Sequence, residues 1–143
     1  MSGIFISYRR QDSLVWAGRL FDTLRLHFGG RMVFMDINGG IPRGANFERR
    51  LAAALEGCDA LLALIGPQWL HHAGPDGARR LDQAHDWVRR EIAGSLQRNI
   101  PVVPVLLGGA QMPAEADLPA DLQPLCKQQK AVLADTDWPA VWR

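Results

Sequence analysis

The sequence alternates short apolar segments with longer segments of helical periodicity, and this alternation limits the folds open to the chain. Residues 60–66, ALLALIG, form a continuous apolar run that is typical of a strand buried on both faces. The other predicted strands are 3–8, 32–37, 100–108 and 130–135, and the predicted helices are 13–28, 46–58 and 81–98. Strands that alternate with helices predict an α/β fold of three layers, with a parallel sheet between helices.

The length, composition and net charge of the chain limit its number of domains and its possible partners. Its 143 residues, 48% of them hydrophobic, predict one domain spanning residues 1–143. A net charge of +1 argues against binding nucleic acid or a membrane surface. Because no signal peptide is recognised, and Cys58 and Cys126 lack metal-ligand spacing, we expect a cytoplasmic protein with reduced thiols. A further helix is predicted to begin at WPAVWR, so we expect either the N-terminal domain of a longer protein or a chain whose last helix is short.

Two segments carry side chains that suit a small-molecule site. Trp87 and Glu91 lie four residues apart in the predicted helix 81–98, and therefore share one helix face. They are either half-buried packing beside a surface charge, or the floor and the working carboxylate of a binding site. Arg9 and Arg10 follow the first strand at its carboxyl end, where open α/β sheets bind their ligands.

Several other chemistries are disfavoured by the residues present. The loop 38–45, NGGIPRGA, lacks the Gly-Lys-Ser/Thr ending of a phosphate-binding loop. His71, His72 and His85 have no carboxylate or cysteine at ligand spacing, so no metal site is predicted. Ser7 has no His/Asp pattern nearby, which argues against a hydrolase triad. A phosphoacceptor receiver domain is rejected, because the first strand ends in SYRR rather than in an acidic pair.

Three motifs together resemble one known family. IFISYRR, VFMDINGGIPRGANFERRL and DWVRREI resemble, in order, the first strand, the second strand with its loop, and the third-helix motif of Toll/interleukin-1 receptor (TIR) domains. The resemblance covers nearly the whole chain. It implies a flavodoxin-like fold with strand order 2-1-3-4-5. It also implies one of two functions, since some TIR domains are adaptors that bind other TIR domains and others cleave NAD at the nicotinamide–ribose bond.

The enzymatic branch of the family implies roles for particular residues. Its catalytic glutamate lies on the third helix, four residues after an aromatic or similar residue, and WVRRE fits that pattern with Glu91 as the catalytic carboxylate. A fixed carboxylate stabilises the positive charge that grows on the ribose as nicotinamide leaves. The predicted substrate contacts are Tyr8, Arg9, Arg10, Arg43, Trp69 and Trp87, with the arginines suited to the pyrophosphate. No metal or cofactor is required, because NAD is the substrate.

The sequence therefore predicts a bacterial TIR domain that acts as an NAD glycohydrolase or cyclase. We expect its products to be nicotinamide and either ADP-ribose or cyclic ADP-ribose, and we expect activation by self-association into a homo-oligomer or filament. Antiphage immune signalling is the favoured role. The alternatives are a TIR–TIR interaction module without enzymatic activity, in which the loop 38–45 is a docking surface, and a host-directed virulence factor.

Overall fold

In the part of the chain that the structure describes, five parallel strands form one central sheet. The computed structural model describes residues 3–29, 33–35, 55–56, 58–84 and 86–133. The strands are β1 (Ile4–Ser7), β2 (Val33–Met35), β3 (Ala60–Ile65), β4 (Val102–Leu107) and β5 (Ala131–Leu133). They pair in the order β2-β1-β3-β4-β5, and every pairing is parallel. The predicted strand order is therefore confirmed.

Alternation along the strands divides the core between the two faces of the sheet. On one face, Ile6, Leu62 and Leu64 pack with the helix α1 (Arg10–Phe28) through Leu20 and Leu24. On the other, Phe5, Leu61 and Ile65 belong to a cluster that includes Ile92 of the helix α2 (Trp87–Gln97). Successive strand residues point to opposite faces, so one apolar strand supplies both layers. This arrangement confirms the flavodoxin-like α/β class.

The start of α2 differs from the prediction. The periodicity predicts a helix from Leu81, but Arg80–Asp82 form a separate short 3₁₀ helix and α2 begins at Trp87. Asp86 is the N-cap of α2, and its carboxylate accepts a hydrogen bond from the Arg89 backbone N–H at 3.1 Å. The prediction that a helix starts at Leu81 is wrong. Leu81 is buried as part of the 3₁₀ helix, and Ala84 is exposed and does not belong to the buried face of α2.

The remaining segments differ from the predictions in smaller ways. α1 begins three residues before Ser13, with Arg9 as its N-cap and non-helical dihedral angles at Ser13. The proline-rich stretch before β5 contains two 3₁₀ helices, Glu115–Asp117 and Ala120–Lys127, and the second buries Leu122 and Leu125. The predicted loop 38–45, most of the predicted helix 46–58 and the helix predicted at WPAVWR lie outside the described residues. None of the described helices combines the length and apolar character needed to cross a lipid bilayer.

Candidate active site

Polar side chains from three elements meet where β1 ends and α2 begins. Ser7 is the last residue of β1, Arg9 follows it at the start of α1, and Asp86 and Glu91 belong to the first turns of α2. Asp12 joins them from the first turn of α1. We call these five residues the strand-end site. It lies at the carboxyl edge of the sheet, where the loops of open α/β folds form ligand sites.

Glu91 is a buried carboxylate with a defined hydrogen-bond donor. The residue is 2% exposed, and its Oε1 accepts a hydrogen bond from the Ser7 hydroxyl at 2.9 Å. A carboxylate removed from water is stabilised only when donors replace the lost hydration. Ser7 supplies one such donor from the strand next to the helix. The Glu91 side chain is therefore buried and hydrogen-bonded at the end of β1, and it is not a solvated surface charge.

A buried ion pair fixes the start of α2 beside the end of β1. Arg9 donates from Nη1 to Asp86 Oδ1 at 3.1 Å and from Nη2 to Asp86 Oδ2 at 2.8 Å. Both side chains are close to fully buried, at 5% and 4% exposure. Two parallel hydrogen bonds match the planar guanidinium to the carboxylate and restrict their relative orientation. Because Asp86 also caps α2, the pair determines where the helix carrying Glu91 begins.

Asp12 attaches the turn after β3 to the start of α1. Its carboxylate accepts hydrogen bonds from the backbone N–H of Gly66 at 2.8 Å and of Gln68 at 2.7 Å. Asp12 lies in the first turn of α1, but its carboxylate binds this neighbouring turn and does not cap its own helix. A Cβ atom on Gly66 would lie 2.6 Å from Asp12 Oδ1, so only glycine allows this approach.

Gly66→Ala is expected to lower the free energy of unfolding by about 1–3 kcal/mol, the usual cost of forcing atoms into a filled space. The new methyl group displaces the Asp12 carboxylate, and both of its hydrogen bonds to the turn are lost. Urea unfolding measures the effect. The control is Gly18→Ala in the middle of α1, where the added Cβ meets nothing within 4 Å. Equal midpoints for the two variants would contradict the assigned role of Asp12.

Among the described residues, the histidine and the two cysteines with shifted pKa values add no competing nucleophile. Burial, and then the nearby Arg9 and Arg80 cations, lower the pKa of His72, so its imidazole is neutral at pH 7. Burial and the Asp59 charge raise the pKa of the Cys58 thiol to about 11, and burial also raises the pKa of Cys126. Among the residues that the structure describes, no three metal-ligating side chains form a group. Thiolate chemistry is thus disfavoured.

The other predicted contact residues differ in their burial and in their position in the fold. Tyr8 is buried directly after β1, whereas Arg10 is exposed at the first position of α1. Trp87 is half-buried at the first position of α2 and packs against the core cluster that contains Ile92. Trp69 is fully buried in that same cluster. Arg43 lies outside the described residues. The ligand roles of all six residues, and the catalytic role of Glu91, stay predictions.

Sequence reasoning missed three members of the strand-end site. Ser7 was considered only as a nucleophile, and Asp12 was not assigned to any site. Asp86 was placed inside the predicted helix 81–98, although it is the N-cap that precedes α2. A signal for Asp86 was present, because aspartate directly before a helical segment is a common N-cap. No local signal identifies its partner, since Arg9 is 77 positions away.

Comparison with known sequences assigns the family. A family profile described as "TIR domain" matches residues 4–135, which is nearly the whole chain. The chain belongs to the TIR domain family. The five-stranded parallel sheet and the order of its strands are those that the family resemblance implied.

This TIR domain is similar in sequence to a curated protein and similar in fold to a solved structure. The "NAD(+) hydrolase sarm1" of Drosophila melanogaster is 26% identical over 120 residues, which are 84% of this chain and 8% of that protein. The TIR domains of the activated Roq1 resistosome, which directly recognises the pathogen effector XopQ, match with a TM-score of 0.55 and 17% identity. That match covers 87% of this chain and 69% of the other, and it shows a shared fold.

Proposed function

We propose that this TIR domain cleaves NAD at the bond between nicotinamide and ribose, with Glu91 as the catalytic carboxylate. The observation that carries the proposal is the buried Glu91 carboxylate, held by Ser7 at the carboxyl end of β1. The WxxxE spacing of Trp87 and Glu91 and the 26% identity to an NAD(+) hydrolase support the same reading.

The chemistry requires only one carboxylate. The nicotinamide ring of NAD is cationic, so it keeps the electron pair of the broken bond and leaves as a neutral molecule without receiving a proton. The usual acid partner of a glycosidase is therefore unnecessary. Positive charge accumulates on the ribose as the bond breaks, and a carboxylate fixed beside it stabilises that charge. Water then attacks to give ADP-ribose and a proton, or an internal group attacks to give a cyclic product.

The burial of Glu91 favours activation by self-association. At 2% exposure its carboxylate is out of reach of a ribose, so neighbouring side chains must move before substrate contacts it. Association of TIR domains supplies the free energy for such a change, and we expect low basal activity in the isolated domain. A homo-oligomer or filament in the cytoplasm, serving antiphage defence in bacteria, is the setting that we propose.

The proposed substrate contacts differ in how readily they reach a ligand. Arg10 is exposed at the start of α1 and suits the pyrophosphate. Arg9 donates both of its Nη atoms to Asp86, so a pyrophosphate contact by Arg9 would have to share or replace that pair. Trp87 is half-buried on the same helix as Glu91 and suits packing against the nicotinamide–ribose portion.

The test of the proposal is nicotinamide release from NAD⁺ by purified protein concentrated on a surface to force association, with products resolved by chromatography. NADH is the matched control substrate. Its ring is uncharged, and cleavage would leave a negative charge on the departing group, so we expect release from NAD⁺ only. The accompanying peak, ADP-ribose or a cyclic product, distinguishes hydrolysis from cyclisation. No release under forced association would overturn the proposal.

An interaction module without enzymatic activity is the second candidate, favoured by the surface of α1. Val15 and Leu26 are 81% and 88% exposed, and their spacing of eleven residues places them on one helix face. This candidate places its docking contacts on that face of α1. This candidate predicts that Val15→Ser with Leu26→Ser weakens association of the domain, measured by light scattering, and that the wild type never turns over NAD⁺.

A further inference from the structure

Two buried serine hydroxyls bind Glu91, and they bind different parts of it. Ser7 donates to the carboxylate oxygen Oε1 at 2.9 Å, whereas Ser95 donates to the main-chain carbonyl oxygen of Glu91 at 2.9 Å. Both serines are essentially inaccessible to solvent. The two hydrogen bonds have the same length and the same burial. They differ in the acceptor, and also in the donor, because Ser7 lies on β1 whereas Ser95 lies four residues after Glu91 on the same helix.

The position of Ser7 is determined by the sheet. It ends β1, which lies between β2 and β3, and it pairs in register with Ala63 of β3. The strand therefore determines where the hydroxyl lies, independently of α2. A group held on a rigid element can orient a reactive side chain to within a fraction of an ångström. The Arg9–Asp86 pair holds the start of α2 against the same strand end.

We infer that Ser7 is a positioning residue for the Glu91 carboxylate, a role that rests on the proposed NAD-cleaving function. The glutamate side chain has three rotatable bonds, and the fixed hydroxyl selects the conformation in which one oxygen is already occupied. In the proposed reaction, the carboxylate oriented in this way meets the developing charge on the ribose. A charge-assisted hydrogen bond also compensates the carboxylate for its lost hydration.

This role makes a different prediction from that of a buried hydrogen bond that only stabilises the fold. A structural bond affects the free energy of unfolding, and the Ser95 bond is of that kind. A positioning bond affects the rate of the chemical step once substrate is bound, so its loss lowers kcat and leaves KM nearly unchanged. Loss of an interaction that orients a reacting group reduces kcat by about 10- to 100-fold.

The experiment compares Ser7→Ala, Ser7→Thr and Ser95→Ala in the surface-concentrated NAD⁺ assay, with melting temperatures measured beside them. Ser7→Ala is expected to lower kcat by about 10- to 100-fold with KM within about twofold of the wild type. Ser95→Ala is expected to keep the wild-type kcat, although it loses a comparable buried hydrogen bond. Ser7→Thr retains a hydroxyl on a residue suited to strands and should recover most of the lost rate.

The outcomes separate this inference from the proposed function. If the wild type turns over NAD⁺ and Glu91→Gln does not, but Ser7→Ala has the wild-type kcat, the positioning role is overturned and the proposed function stands. Equal reductions of kcat in Ser7→Ala and Ser95→Ala also overturn it, because general destabilisation then explains both. If the wild type releases no nicotinamide, the proposed function fails, and the role of Ser7 fails with it.

Discussion

Asp86→Ala is expected to lower the free energy of unfolding by about 3–5 kcal/mol, the usual loss when one partner of a buried ion pair is removed. The Arg9 guanidinium is 5% exposed, and without Asp86 its charge is buried and uncompensated. The substitution also removes the N-cap of α2, which accounts for about 1 kcal/mol of that loss. Urea unfolding followed by circular dichroism measures the change.

Three further variants separate the contributions to that loss. Asp86→Asn keeps a capping oxygen but no charge, so it should fall between the wild type and Asp86→Ala. Arg9→Met combined with Asp86→Asn removes both charges and should recover stability relative to Asp86→Ala. Asp82→Ala is the matched control, because Asp82 also pairs with an arginine, Arg79, but is 57% exposed. Solvent screens such a pair, and we expect little change. Equal losses in Asp86→Ala and Asp82→Ala would contradict the buried-pair account.

Glu91→Gln is expected to reduce NAD⁺ turnover by about 10²–10³-fold, the range for removing one preorganised group that stabilises transition-state charge. Glutamine has nearly the same volume as glutamate, and its amide oxygen can accept the Ser7 hydrogen bond in place of Oε1. The fold should therefore survive, and the melting temperature should stay close to that of the wild type. Only the negative charge of the carboxylate is lost.

The control for this charge is Glu115→Gln, at an exposed position in the 3₁₀ helix Glu115–Asp117. It removes the same charge from the chain without affecting the strand-end site, so its turnover should equal that of the wild type. If the Glu91→Gln variant unfolds, Glu91 is required for the stability of the fold. A folded Glu91→Gln variant with full turnover would remove Glu91 from the mechanism.

The sheet could be predicted from the sequence because its signals are local. β3 and β4 are apolar runs buried on both faces, and such runs identify central parallel strands without knowledge of their neighbours. The order of the strands is a different matter, because periodicity does not specify it. It came from the resemblance to TIR domains, and the pairing of β1 with both β2 and β3 agrees with it.

The strand-end site was only half predictable, because its contacts join residues that are distant along the chain. Glu91 was identified from its spacing to Trp87, a local pattern. The partner of Arg9 was not, since Asp86 lies 77 positions further on and was read as an interior helical residue. Ser7 is 84 positions from Glu91 and has no sequence pattern of its own. Packing of α2 against β1 brings these pairs together, and only the folded chain reveals them.

The catalytic role of Glu91 is tested most directly by measuring nicotinamide release from NAD⁺ by the wild type and by Glu91→Gln, both concentrated on the same surface. We expect steady release by the wild type and release at least about 10²-fold slower by a folded Glu91→Gln variant. Equal release by both proteins would contradict the assignment of Glu91. No release by either would contradict the enzymatic function, and would favour a TIR interaction module.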